Sequence, residues 1–121
     1  HKHGAYLVAN SEMPGFSRDD QMILATLIRC HRQKLQNKHF RDVPADRADF
    51  TVRLAILLRL AVHLNRSRSP EPPPMLRLQA KGDRLSLAFP EGWLEEHPLS
   101  RVDLEEERER LRDVDVELEI L

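Results

Sequence analysis

Two runs of cationic side chains hold the chemistry that this sequence can offer. Arg29, His31, Arg32 and Lys34 form the first; Arg59, His63, Arg66 and Arg68 form the second, with Asn65 among them. Arginine outnumbers lysine in both, and its planar fork matches phosphate oxygens as a lysine point charge does not. Steps of four, three and seven residues return Arg59, His63 and Arg66 to one helical face. If the helices bearing the two runs face one another, they line a positive groove for a polyanion. Arg29, Arg32, Lys34, Arg59, Arg66 and Arg68 then grip phosphates, while His31 and Asn65 shape the trough. The plainer alternative is solvated charge on unrelated faces. Few aromatics accompany these cations, so stacking on nucleic-acid bases is not expected.

No catalytic residue is assigned. The chain has no Gly-rich phosphate loop, no G-x-S-x-G and no Cys-x-x-Cys, the short motifs that carry such chemistry. His31 falls within an apolar helical stripe, the usual place for a hydrogen-bonded core histidine. As a metal ligand it needs company from His1, His3 or His63, and no metal site is assigned. The acidic run at 105–109 reads as a solvated helix face.

Helices must position these side chains. The spacing predicts a short helix over 4–10, stopped by Ser11, Pro14 and Gly15. A second helix starts from an N-cap at Ser17, with Asp20 at its third position, and runs to about Leu35. Its apolar stripe is Leu24, Leu27, Ile28 and Leu35. A polar connection through Pro44 leads to the central stretch, 48–69, where Phe50, Leu54, Leu57, Leu58, Ala61 and Leu64 form a helical stripe. Ile56, Leu60 and Val62 widen it until little polar surface remains, which predicts burial on most sides.

The prolines at 70 and 72–74 end that pattern, because consecutive prolines form a stiff spacer rather than a helix. Beyond them the period changes to two. Segments 75–80 and 84–89 read as strands joined by a hairpin turn at Lys81-Gly82-Asp83. Trp93 is expected to plug a small core, Pro98 to open a surface helix, and 114–121 to close as a strand. The expected fold class is α+β, with a helical part over 1–69 and a ββαβ unit over 70–121.

With 121 residues, 40% of them hydrophobic, the chain can bury one core or two small ones. The net charge of −1 conceals +6 over 1–69 and −7 over 70–121. Such asymmetry points to an anionic partner for the first part, or to attraction between the two. A single cysteine, Cys30, leaves no internal disulfide and suits a reducing cytosol. No apolar run approaches the roughly 20 residues of a membrane span. A cytoplasmic location is expected. The first residue is His1 rather than Met, and the chain is expected to be a piece of a longer protein.

With these segments laid out, the chain resembles the C-terminal part of the exopolyphosphatase and guanosine pentaphosphate phosphohydrolase family. The matching words are His3-Gly4-Ala5-Tyr6-Leu7 with Asn10-Ser11, then Pro14-Gly15-Phe16 and His31-Arg32 with Lys34. Leu57-Leu58-Arg59-Leu60-Ala61, Leu64-Asn65 and Arg68 follow, then Trp93-Leu94, His97-Pro98-Leu99 and Asp103-Leu104-Glu105. The resemblance implies a longer parent in which actin-like domains hold magnesium and the catalytic acid. This chain then supplies a helical remnant of the HD-phosphohydrolase type and a small α+β end. Where an HD hydrolase places a metal-binding Asp after its Leu-Ala pair, this sequence has Val62, so the remnant is expected to bind anion rather than metal, with no cofactor of its own.

The expected function is that of an accessory, inorganic-polyphosphate-binding region of an exopolyphosphatase, inactive alone. Many weak contacts along a substrate prolong its residence without changing the chemical step. A homodimer is expected from the family likeness, and no nucleic-acid partner or integral membrane segment. The alternatives are a guanosine pentaphosphate phosphohydrolase, an independent metal-dependent HD hydrolase, and a dimerisation or interaction module without substrate contacts.

Overall fold

In the computed structural model, residues 1–32, 34–65 and 71–121 are described. Two compact units are present, His1–Arg59 and Leu60–Leu121. Their boundary falls inside the central helix, ten residues before the division expected at the proline-rich spacer.

The first unit is helical. Helix α1 (Lys2–Asn10) packs on α2 (Arg18–Cys30), and Gly4 permits the approach, since a Cβ there would meet Ile28 Cγ2 at 3.3 Å. The carbonyls at the C-terminal end of a helix have no partner within it, and here α2 supplies them. Gln21 Nε2 donates to the Val8 and Ser11 carbonyls, and Arg18 Nη1 to that of Ala9. Gln21 is therefore buried without an unmet polar group. The N-cap at Ser17 forms as expected, with Asp20 N–H donating to its hydroxyl over 3.0 Å.

Helix α2 ends at Cys30, about five residues before the expected Leu35. The His31 ring bonds back to the Ile28 carbonyl and closes the last turn, and the chain then turns Leu35 fully inward. The connection expected to be polar contributes to the core. Residues Asn37–Phe40 and Ala45–Arg47 form 3-10 turns, and Phe40 and Val43 are buried, as are Cys30 and Leu35.

Helix α3 (Ala48–Leu64) buries Thr51, Ala55, Ile56, Arg59 and Leu60. The expected core stripe lies on its other side, with Phe50 55%, Leu57 42% and Leu58 39% exposed. A helix that is apolar nearly all round gives the 3.6-residue period nothing to choose between. The face selected carries small Thr51 and Ala55, and Thr51 satisfies its hydroxyl on the Arg47 carbonyl.

The second unit has the expected ββαβ order. Strands β1 (Arg77–Lys81) and β2 (Arg84–Ala88) pair antiparallel, and β3 (Glu117–Ile120) joins β2 in parallel. Between them lie a single turn α4 (Trp93–Glu96) and helix α5 (Pro98–Leu111). The β1–β2 turn places its positive φ, +59°, on Gly82, the first central residue of a two-residue hairpin loop. Leu85, Leu87, Leu94, Leu104, Leu111, Val114 and Leu118 form the core. Trp93 is only half-buried, so Leu94 takes the place expected of it. Strand β3 starts later than expected because Asp115 adopts φ +61°, a conformation that Asp tolerates better than most residues.

Candidate anion-binding site

The C-terminal end of α2, the N-terminal end of α1 and the 3-10 turn at Asn37–Phe40 come together within the first unit. Helix α1 meets α2 at Gly4 and Ile28, His1 and His31 touch edge-on at 4.7 Å between ring centroids, and the turn packs on α2. All three segments are basic. Residues 1–11 contain no acid, and 29–41 contain five Lys and Arg with none. Cations at the end of a helix also complement its negative pole, so the charge has a structural role besides any ligand.

Of the first expected run, Arg29, Arg32 and Lys34 are exposed. His31 is half-buried, with Nδ1–H donated to the Ile28 carbonyl, which makes it a helix stop that leaves only its other nitrogen for a ligand. Lys2, Lys38 and His39 belong to the same electrostatic neighbourhood and were not anticipated. His39 is held below its ordinary value of 6.5, first by burial and then by the charges of Arg29, Lys38 and Lys2. Its Nδ1 is buried without a hydrogen-bond partner among the described residues. The acid-free run at 29–41 was the signal that could have found Lys38 and His39.

The second run has a different fate. Arg59 is 1% exposed, and its Nη1 donates to the Cys30 carbonyl over 2.7 Å. It is an internal strut, and the expectation that it faces a solvent-filled trough is corrected. A guanidinium can be buried where hydrogen bonds replace its water. His63 is half-buried, with Nε2 3.5 Å from the carboxylate of Glu107. Asn65 is exposed and donates to the Ala61 carbonyl of its own helix. Arg66 and Arg68 lie outside the described residues.

Glu107 is fully buried rather than part of a solvated face, because it shares the inward line of α5 with Leu104 and Leu111. No group of three or more His, Cys, Asp or Glu among the described residues could hold a metal ion. No described helix is long and apolar enough to cross a membrane.

A helical unit and a ββαβ unit make up an α+β fold, the class expected from the sequence. Residues 1–108 match the family model for Ppx/GppA phosphatase, domain III. Among curated relatives, the guanosine-5'-triphosphate,3'-diphosphate pyrophosphatase of Pseudoalteromonas translucida is 37% identical over 109 residues, which is 88% of this chain and 21% of that protein. Its namesakes from Vibrio vulnificus and Vibrio campbellii are 36% and 33% identical, covering 93% and 99% of this chain and 22% and 24% of theirs. The chain belongs to the Ppx/GppA phosphatase family. It spans less than a quarter of the length of these relatives.

Proposed function

We propose that this chain is the accessory C-terminal region of a longer phosphohydrolase and holds the phosphates of its substrate while residues outside this chain perform hydrolysis. The substrate favoured is guanosine pentaphosphate rather than inorganic polyphosphate, because the relatives bear the name of a guanosine-5'-triphosphate,3'-diphosphate pyrophosphatase. The observation behind the holding role is the acid-free basic corner of the first unit, with Arg29, Arg32 and Lys34 exposed. Forked arginine contacts bind phosphate oxygens strongly. Arg66 and Arg68 are proposed as further phosphate-binding residues, and Arg59, being buried, is withdrawn. Magnesium and the chemical step belong, on this reading, to the portion outside this chain, in a cytoplasmic enzyme.

Titrating the chain with guanosine pentaphosphate, GTP and polyphosphate at two salt concentrations tests the proposal. The expected result is tightest binding of guanosine pentaphosphate, with affinity falling steeply as salt rises. Tighter binding of polyphosphate would restore that substrate, and binding of none would remove the holding role. Hydrolysis of the two substrates by the longer protein checks the assignment independently.

The exposed line of Phe50, Leu57 and Leu58 favours a second reading, an interaction module. Apolar side chains clustered on one helical face mark contact surfaces more often than scattered ones do. Sedimentation of the chain over a range of concentrations distinguishes the two, since self-association follows protein concentration rather than ligand.

A further inference from the structure

The 3-10 turn at Asn37–Phe40 carries a histidine that is only partly in water. His39 N–H donates to the Gln36 carbonyl over 3.1 Å, and the neighbouring Phe40 side chain, 7% exposed, pins the turn to the core. The ring is half-buried, and its Nδ1 is shut away from water with no hydrogen-bond partner among the described residues. Buried polar atoms are rarely left so. The neutral imidazole bears this best with its hydrogen on Nε2, which leaves Nδ1 a bare lone pair. A second proton must then go to Nδ1, where no acceptor waits.

Charge opposes that proton as well. Lys2 at the start of α1, Arg29 in the last turn of α2 and the adjacent Lys38 all act on the ring. No carboxylate is among the charges that do, and the nearest acid along the chain, Asp42, is exposed. The other titratable rings where α1 meets α2 are His1 and His31, in edge contact with each other. Phosphates held at this corner reverse the balance, because negative charge set against Lys2, Arg29 and Lys38 offsets their repulsion of an imidazolium. The two events are reciprocal. The anion favours the proton, and the proton adds a cation to the site.

We propose that His39 is a proton-linked member of the basic corner, taking up a proton when a polyphosphorylated ligand binds and so tightening the hold as pH falls. The inference rests on the phosphate-holding role proposed above. Where neither the free nor the bound chain carries the proton, affinity stays at its lower level. Where only the complex carries it, affinity climbs with each step toward acid, and it levels off once both do.

Nuclear magnetic resonance of the His39 ring in the intact chain, from pH 8 to pH 5 with and without saturating guanosine pentaphosphate, tests this. Occupancy is read separately, from the backbone amides of Arg29 and Arg32. The ring's titration midpoint is expected to move up when the ligand is bound. Between pH 7.5 and pH 5.5 the wild type should gain at least about threefold more affinity than His39→Gln, a comparison that cancels protons taken up by the ligand's own phosphates. Should that variant fail to fold, the wild-type midpoint decides alone. Amide shifts that report a bound ligand beside an unmoved or lowered His39 midpoint would overturn the inference and leave the holding role standing. Absence of any amide response would remove the holding role, and the proton linkage with it.

Discussion

The guanidinium of Arg59, on α3, donates to the main-chain carbonyl of Cys30, the last residue of α2. The bond runs between a side chain 1% exposed and a residue of zero exposure, so it joins two helices from within. Arg59→Ala removes the donor, strands a buried carbonyl and opens a cavity, at a cost of about 2–4 kcal/mol. Urea unfolding measures that cost. Phosphate affinity, scaled to the folded fraction, is expected to stay unchanged.

Arg32→Ala is the counterpart. Its side chain is exposed at the basic corner, so stability should move by less than about 0.5 kcal/mol. Affinity for guanosine pentaphosphate should fall instead, with a shallower salt dependence because one fewer counterion is displaced. Calorimetric titration at two salt concentrations reads both. Equal affinity and slope in wild type and variant would argue against the corner.

Acid should weaken the first unit through His39. Its folded-state value is depressed by burial and by Arg29, Lys38 and Lys2. Above the ordinary value of 6.5, the ring is neutral folded and unfolded, and stability is intact. As pH falls below it, the unfolded chain takes up a proton that the folded chain resists, and stability declines down to the folded value. The urea midpoint should therefore drop between pH 7.5 and pH 5.5 by less in His39→Gln than in the wild type.

The two sides of α3 should respond unequally to truncation. Leu57→Ala acts on a side chain 42% exposed and should cost less than about 1.5 kcal/mol. Leu60→Ala, at 3% exposure, should cost about 2–5 kcal/mol. Comparable losses at both positions would show that the outward face is covered in solution.

Cys30 should be a slow thiol. It is fully buried, and that burial pushes its value up to about 11 against a smaller opposing pull from Arg59 and Arg29. The thiolate is the reactive form, so alkylation at pH 8 should be limited by unfolding. Adding urea below the midpoint should raise the rate in proportion to the unfolded population.

Much of this architecture was legible from residue order, for identifiable reasons. The Ser17 cap, the Gly82 turn and the ββαβ order depend on local chemistry, which a sequence displays directly. The orientation of α3 was not legible, because Phe50, Leu57 and Leu58 are as apolar as Ile56 and Leu60. What separates the two faces is small Thr51 and the Cys30 carbonyl waiting for Arg59, a tertiary circumstance 29 positions away. Glu107 was misplaced for a related reason. Its neighbours 105, 106 and 109 are solvated acids, and only the line through Leu104 and Leu111 reveals that it turns inward. At the basic corner, Arg29, Arg32 and Lys34 were found by type alone. Lys2, Lys38 and His39 join them through packing that brings three segments to one place.

Strand β2 is bonded on one side to β1, two residues of turn away, and on the other to β3, whose Leu118 lies opposite Leu85. The hairpin can close as soon as both its strands exist, whereas the parallel pair must wait for α4 and α5 to be laid between them. Distant pairing slows the search for the native state. The acidic half of the chain should thus be the late finisher during synthesis, and its hairpin the piece that chaperones meet while one edge is still bare.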